Sequence, residues 1–154
     1  MRRYAVVIEP GKRNLGAWAP DFLGCISTGR TLPEMRRMIR EALEFHMEGM
    51  AEYGESIPPP STTCARVDVG PGYAAFIERT RRGFTAHAPD FDGCLAAAST
   101  RRGALLLLGD VLRTHLSDLK WSGDPVPMPS CLCEMVEVRL PSPGKSARGR
   151  ALAR

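Results

Sequence analysis

No apolar run in the 154 residues approaches the roughly 18 that a membrane span requires. Met1-Arg2-Arg3 ahead of Tyr4–Ile8 imitates a secretion signal, but the stretch is short, and Glu9 and Pro10 close it without a small-residue cleavage site. The expectation is a cytoplasmic protein with no membrane partner. Five cysteines, an odd number, read as free thiols in that setting. Assembled chemistry is missing too. No glycine loop has phosphate-cradling spacing. Cys131-Leu132-Cys133 has a one-residue spacing where structural zinc sites prefer two to four, and no second ligand pair accompanies it. Cys25 and Cys94 have no repeated His or Asn beside them, and their apolar neighbours make them small buried hydrophobes. Metal-dependent hydrolysis needs several converging carboxylates. The chain offers Glu9, Glu78, Asp21 and Asp90 at strand ends and none inside a strand. We expect no catalytic residue, no metal and no cofactor, and we read His46 and His115 as core or boundary residues.

Excess charge is absent from most of the chain. The formal charge of +4 is accounted for by Lys145, Arg148, Arg150 and Arg154 in residues 141–154, which leaves 17 basic and 17 acidic residues elsewhere. That balance gives little ground for a nucleic-acid binder. The basic tail contains Pro, Gly and Ser and is expected to be disordered, as a solubilising end or one that touches anions.

What the sequence does have is a repeat. Pro20-Asp21-Phe22-Leu23-Gly24-Cys25 returns as Pro89-Asp90-Phe91-Asp92-Gly93-Cys94, 69 residues later. The same offset pairs Tyr4 with Tyr73, Glu9 with Glu78, Thr31 with Thr100, His46 with His115 and Cys64 with Cys133. Of the 66 aligned positions from Tyr4 to Val69, 22 are identical, against roughly four by chance. The chain therefore divides into residues 1–69, 70–140 and the tail 141–154.

Each repeat carries the same order of elements. Arg3–Glu9 is a β-former run apolar on both faces, as in a central strand. Pro10–Asn14 is a turn, Leu15–Ala19 a hairpinned strand, and Cys25–Thr28 a third strand. Thr31-Leu32-Pro33-Glu34 is a capping box that starts a helix running to about Tyr53, closed by Gly54. Met35, Met38, Ile39, Ala42, Leu43, His46 and Met50 share its apolar face. A proline-rich link, Ser56–Ser61, leads to a half-exposed strand at Cys64–Val69. The second repeat follows with Tyr73–Glu78, Phe84–Ala88, Cys94–Ala98, a helix from Arg101 to Leu119, and Cys133–Val138. The fold class is α+β: two tandem β-β-β-α-β units, each with one helix on a small sheet.

The helices differ. Glu41, Glu44, Glu48, Glu52 and Glu55 form a stripe opposite the apolar face of the first, while Arg36, Arg37 and Arg40 crowd its start. That order opposes the helix dipole, so helix stability does not select the stripe. It is either a solvated face or a docking face for a basic partner. The second helix replaces the stripe with Asp110, Arg113, Ser117, Trp121 and Asp124. Leu105–Leu108 make that helix apolar nearly all round, which predicts cover from the first unit or another subunit.

The first unit reads Tyr4-Ala5-Val6-Val7-Ile8-Glu9, a turn, Trp18-Ala19-Pro20-Asp21-Phe22-Leu23-Gly24-Cys25, a threonine-capped helix, then Glu48-Gly49-Met50 and Gly54-Glu55-Ser56-Ile57-Pro58. It resembles the HicB family, the antitoxin halves of type II toxin–antitoxin pairs, from Arg3 to about Val69. The second unit resembles the same domain in degraded form. The resemblance implies a partial ribonuclease-H-like fold without catalysis, which binds and masks a small HicA-type toxin that cleaves messenger RNA. Many members add a C-terminal DNA-binding segment; here the second repeat takes that place, so DNA is left open as a partner. Family domains tend to self-associate, so a homo-oligomer is expected as well. We take Glu41, Glu44, Glu48 and Glu52, with Trp18, Asp21 and Phe22 of the repeated stretch, as the partner-binding residues. The alternatives are a solitary regulator or scaffold whose tail touches nucleic acid, and a relic metal-dependent nuclease built on Glu9, Asp21 and their copies Glu78 and Asp90.

Overall fold

A computed structural model describes residues 1–142; the tail expectation falls on residues that, from 143 on, lie outside that range. Ten elements follow in order: β1 (Arg2–Pro10), β2 (Leu15–Trp18), β3 (Ile26–Gly29), α1 (Leu32–Glu52), β4 (Thr62–Val67), β5 (Tyr73–Thr80), β6 (Gly83–His87), β7 (Leu95–Ala98), α2 (Arg101–Ser122) and β8 (Leu132–Val138). The order β-β-β-α-β thus occurs twice.

The sheets do not follow that division. One has the order β3-β2-β1-β8 and the other β4-β5-β6-β7, so each takes its fourth strand from the other half of the chain. All pairings are antiparallel; β8 lies along β1 from Arg2↔Val138 to Ile8↔Leu132, and β4 lies along β5 from Thr62↔Glu78 to Val67↔Tyr73. Strand alternation then sorts the side chains. Tyr4, Val6, Ile8, Ala17, Val136 and Val138 meet α1 in one core. Tyr73, Ala75, Ile77, Ala86 and Val67 meet α2 in another. Val7 and Phe76 are buried on the opposite faces, between the sheets, where the Trp18 ring stands edge-on to Phe76 at 5.4 Å. The layers run α1, sheet, sheet, α2. This explains why β1 is apolar on both faces.

Three expectations change. Cys64 and Cys133 are not free thiols but a disulfide with Cα atoms 5.4 Å apart, joining β4 to β8 across the two sheets; Cys25, Cys94 and Cys131 are free. Chain spacing could not reveal the proximity that strand exchange creates. The α1 core face is Met35, Ile39, Leu43 and Met47, with Met38, Ala42 and Met50 partly buried beside it. The face is rotated toward Met47, because one row of residues four apart points straight down at the sheet. Finally, α2 extends to Ser122 and is covered inside by β4 through β7, while Leu106, Leu107 and Val111 stay exposed outside. The first half supplies β4 and Val69 to that cover.

Candidate functional site

The outward face of α1 is positioned by two well-made ends. The Thr31 side chain accepts from the Glu34 N–H at 3.3 Å, and Glu34 Oε2 accepts from the Arg30 N–H at 2.8 Å. At the other end Gly54, at φ +72°, lets the Glu55 N–H return to the Met50 carbonyl at 2.8 Å. Between them Glu41, Glu48 and Glu52 are exposed, and Glu44 is half-buried with Oε1 accepting from the Arg139 N–H at 2.9 Å.

Among the basic residues at the helix start, Arg36 has a tertiary reason. Arg36 forks onto Glu134 of β8, with Nε–Oε2 at 2.8 Å and Nη2–Oε1 at 2.6 Å. That bidentate bond pushes the Arg36 pKa up, and it holds the Glu134 carboxyl below its ordinary range despite partial burial.

Beside the stripe, a shallow groove of about 450 Å³ is lined by Gly24, Ile26, Ala42, Phe45, Gly49 and Met50 among others. Its rim carries apolar groups that sequence reading missed: Phe45 is 78% exposed and Ile26 73%. The available signal was an aromatic on the polar side of a helix, between Ala42 and Gly49. The matching groove on α2, about 460 Å³, is lined by Cys94, Asp110, Val111, Thr114, His115 and Asp118, so a threonine stands where Phe45 does.

The other expected partner residues sit inward. Phe22 is buried, edge-on to Tyr4 at 4.8 Å and to His46 at 5.7 Å. Asp21 is a staple: its carboxylate accepts from the Ser61 N–H at 3.3 Å, from the Ser61 hydroxyl, and from the Thr62 hydroxyl at 2.9 Å. Asp90 repeats this on Ser130 and on the Cys131 N–H at 3.1 Å, leaving its buried Oδ2 without a hydrogen bond. Tyr4 and Tyr73 each donate a hydroxyl to a proline carbonyl, Pro58 or Pro127, at 2.7 Å. Trp18 lies between the sheets and donates to Glu9 Oε1 at 3.2 Å. In the second half His87 stacks on Phe76 and brings Nε2 to 2.8 Å from Glu78, an ion-pair distance outside hydrogen-bond geometry.

Burial raises all three free thiols, and Cys131 is pushed up to about 12, first by desolvation and then by the charges of Asp90 and Glu9. A thiol held protonated is a poor nucleophile and a poor metal ligand. Among the described residues no group of three or more His, Cys, Asp or Glu side chains is placed to hold a metal ion. Among the described residues no helix is long and apolar enough to cross a membrane.

α1 thus lies on an antiparallel sheet and turns Glu41, Glu48 and Phe45 outward. Residues 4–79 match the family described as HicB_like antitoxin of bacterial toxin-antitoxin system, and through that segment the chain belongs to the HicB-like antitoxin family. Over 55 residues it is 40% identical to an uncharacterized 14.9 kDa protein in the rep-hol intergenic region of Haemophilus phage HP1 (strain HP1c1), covering 36% of this chain and 41% of that protein. The chain thus spans about two fifths of that relative's length. A chain from a HicA3 and HicB3 toxin-antitoxin complex aligns with 48% of this chain and 93% of its own, at 23% identity and a TM-score of 0.38.

Proposed function

We propose that this chain is a cytoplasmic, non-enzymatic antitoxin that binds a small HicA-type mRNA-cleaving ribonuclease and covers its active site. The observation that carries this reading is the family match over residues 4–79, a segment that includes the whole of α1. The supporting physical motive is charge. A ribonuclease must be positive to hold RNA, and an acidic helix face speeds and orients its approach. Glu41, Glu44, Glu48 and Glu52 form that face in this reading, with the Phe45 groove as its apolar neighbour; Phe22 backs α1 from inside against His46, while Trp18 and Asp21 hold the surrounding fold. Residues 1–69 are the competent HicB-like domain, of partial ribonuclease-H-like fold. Residues 70–140 are its degenerate copy, and 141–154 are a basic tail.

Co-expression tests the reading. A HicA-type ribonuclease from the same host should arrest growth alone and be neutralised by this chain. Glu41→Lys with Glu48→Lys should weaken the complex at least about tenfold and flatten its salt dependence. Both positions are solvent-facing, so the fold should survive. Neutralisation by the double variant as strong as by the wild type would remove the stripe from the interface. Arrest that the wild type cannot relieve would leave the solitary-regulator reading. The relic-nuclease reading has its acids committed elsewhere, Asp21 to Ser61 and Thr62 and Glu9 to Trp18.

A further inference from the structure

The groove beside α1 is bounded on its other side by the end of a sheet. β3 is the outermost strand of that sheet and pairs with β2 alone, so the backbone groups along its outer edge have no strand to bond. Gly24, Cys25 and Ile26, at the entry to β3, line the groove together with Ala42, Phe45 and Gly49 of α1. Leu23, next to Gly24, and Tyr53, one turn beyond Gly49, are exposed beside it, as are Ile26 and Phe45. Single apolar side chains on a surface are ordinary, but four around one groove mark a docking place. The second half is an internal control. Its β7 is an outermost strand too, yet Asp92, Thr114, Asp118 and Ser122 stand where the first half has Leu23, Phe45, Gly49 and Tyr53. The same framework folds without the apolar rim, so the fold does not require it.

Charge narrows the occupant. Glu55 lines the groove, and Glu41 and Glu48 stand one turn to either side of Phe45 on α1. None of the three is in an ion pair among the described residues, and no Lys or Arg lines the groove. We propose that the groove takes an extended cationic segment of a partner polypeptide, which adds along the outer edge of β3 and sets an apolar side chain against Phe45. Strand addition supplies main-chain hydrogen bonds, and side-chain pockets beside the edge supply selectivity. In a strand, residues two apart share a face and lie about 6.7 Å from each other. Glu41 and Glu48 lie about 6 and 4.5 Å along the helix from Phe45. A segment with one apolar residue and a cation two positions to either side therefore matches the rim, and the charges orient its approach. Binding of such a segment rests on the groove alone. That the segment belongs to the ribonuclease rests on the antitoxin reading.

The test uses the full chain and, as probe, the heptapeptide Thr-Lys-Thr-Leu-Thr-Lys-Thr, followed by NMR. The peptide should slow amide hydrogen exchange at residues 26–28 and leave residues 95–97 of the matching strand unchanged. Phe45→Thr, which copies the second half at an exposed position, should leave the fold intact and weaken binding about tenfold. Glu41→Lys with Glu48→Lys should weaken it and flatten its salt dependence. A peptide with Ser in place of Leu, or one with N-methylated amides that cannot donate, should bind at least about tenfold more weakly. Equal affinities for the wild type and Phe45→Thr, or binding without slowed exchange at residues 26–28, would overturn the proposal. So would a Phe45-dependent dimer of the chain with no peptide bound, which would make a second copy the occupant. Peptide binding as described with failed growth rescue would uphold the groove and remove the toxin from it. Growth rescue with no peptide binding would overturn the groove and leave the antitoxin reading.

Discussion

Asp21 and Asp90 show how one side chain fixes the path of a proline-rich segment. Each sits in the turn before β3 or β7 and holds the strand entry at Ser61 or Ser130, 40 residues away in both cases. A carboxylate that gathers N–H and O–H donors is worth more than a neutral acceptor. Asp21→Ala should therefore cost about 2–4 kcal/mol in urea unfolding, and an unchanged midpoint would show that Ser61 and Thr62 do not need it. Cys131, where the first half has Thr62, gives a pH signature. Its folded pKa of about 12 lies above the ordinary thiol value of 9.0. The unfolded thiol therefore loses its proton first as pH rises. Stability from this group is fully present below pH 9 and declines between pH 9 and about 12. Cys131→Thr should flatten that part of the urea-midpoint profile. An alkaline decline identical in both proteins would place its origin in other groups.

At the level of elements, α1 was legible in its ends and less so in its inner face. Thr31, Pro33 and Glu34 announced the start, and Gly54 the end, because capping is local chemistry written within four residues. Met47 was missed because the apolar stripe is broad, and sequence alone does not say which of two adjacent rows faces the sheet. It is fully buried, so Met47→Ala should destabilise by about 2–5 kcal/mol while Met38→Ala costs less. Similar losses at both would mean that the buried face spans Met38 as fully as Met47. The role of Arg36 was not legible because its partner, Glu134, is 98 residues away. The acidic stripe itself was plain in the sequence. The Phe45 and Ile26 rim was not, because exposed apolar side chains register as noise until the groove beside them is seen.

At the scale of the whole molecule, the repeat offset was readable to the residue, and the strand exchange was not. β4 and β8 each carry the right alternation for either sheet, and nothing local chooses between pairing at home and pairing across. The exchange places Cys64 against Cys133, equivalent positions 69 residues apart, so the disulfide ties the two halves at their symmetric contact. Closing a loop of that length restrains the unfolded chain, and a thiol reductant should lower stability by about 2–4 kcal/mol. A Cys64→Ser, Cys133→Ser variant should match the reduced wild type. No shift on reduction would mean the bond adds nothing to what β-pairing already holds. The same layering leaves Leu106 and Leu107 exposed on the outer face of α2.

The measurement that bears most directly on the role proposed here is parallel affinity capture from the native host with the wild-type chain and the Glu41→Lys, Glu48→Lys variant, read by mass spectrometry at low and high salt. The predicted result is one small basic ribonuclease in stoichiometric amount with the wild type at low salt, depleted at high salt and lost with the variant. Identical captures from both proteins, or no such partner with either, would contradict an antitoxin that docks its toxin on the acidic face of α1.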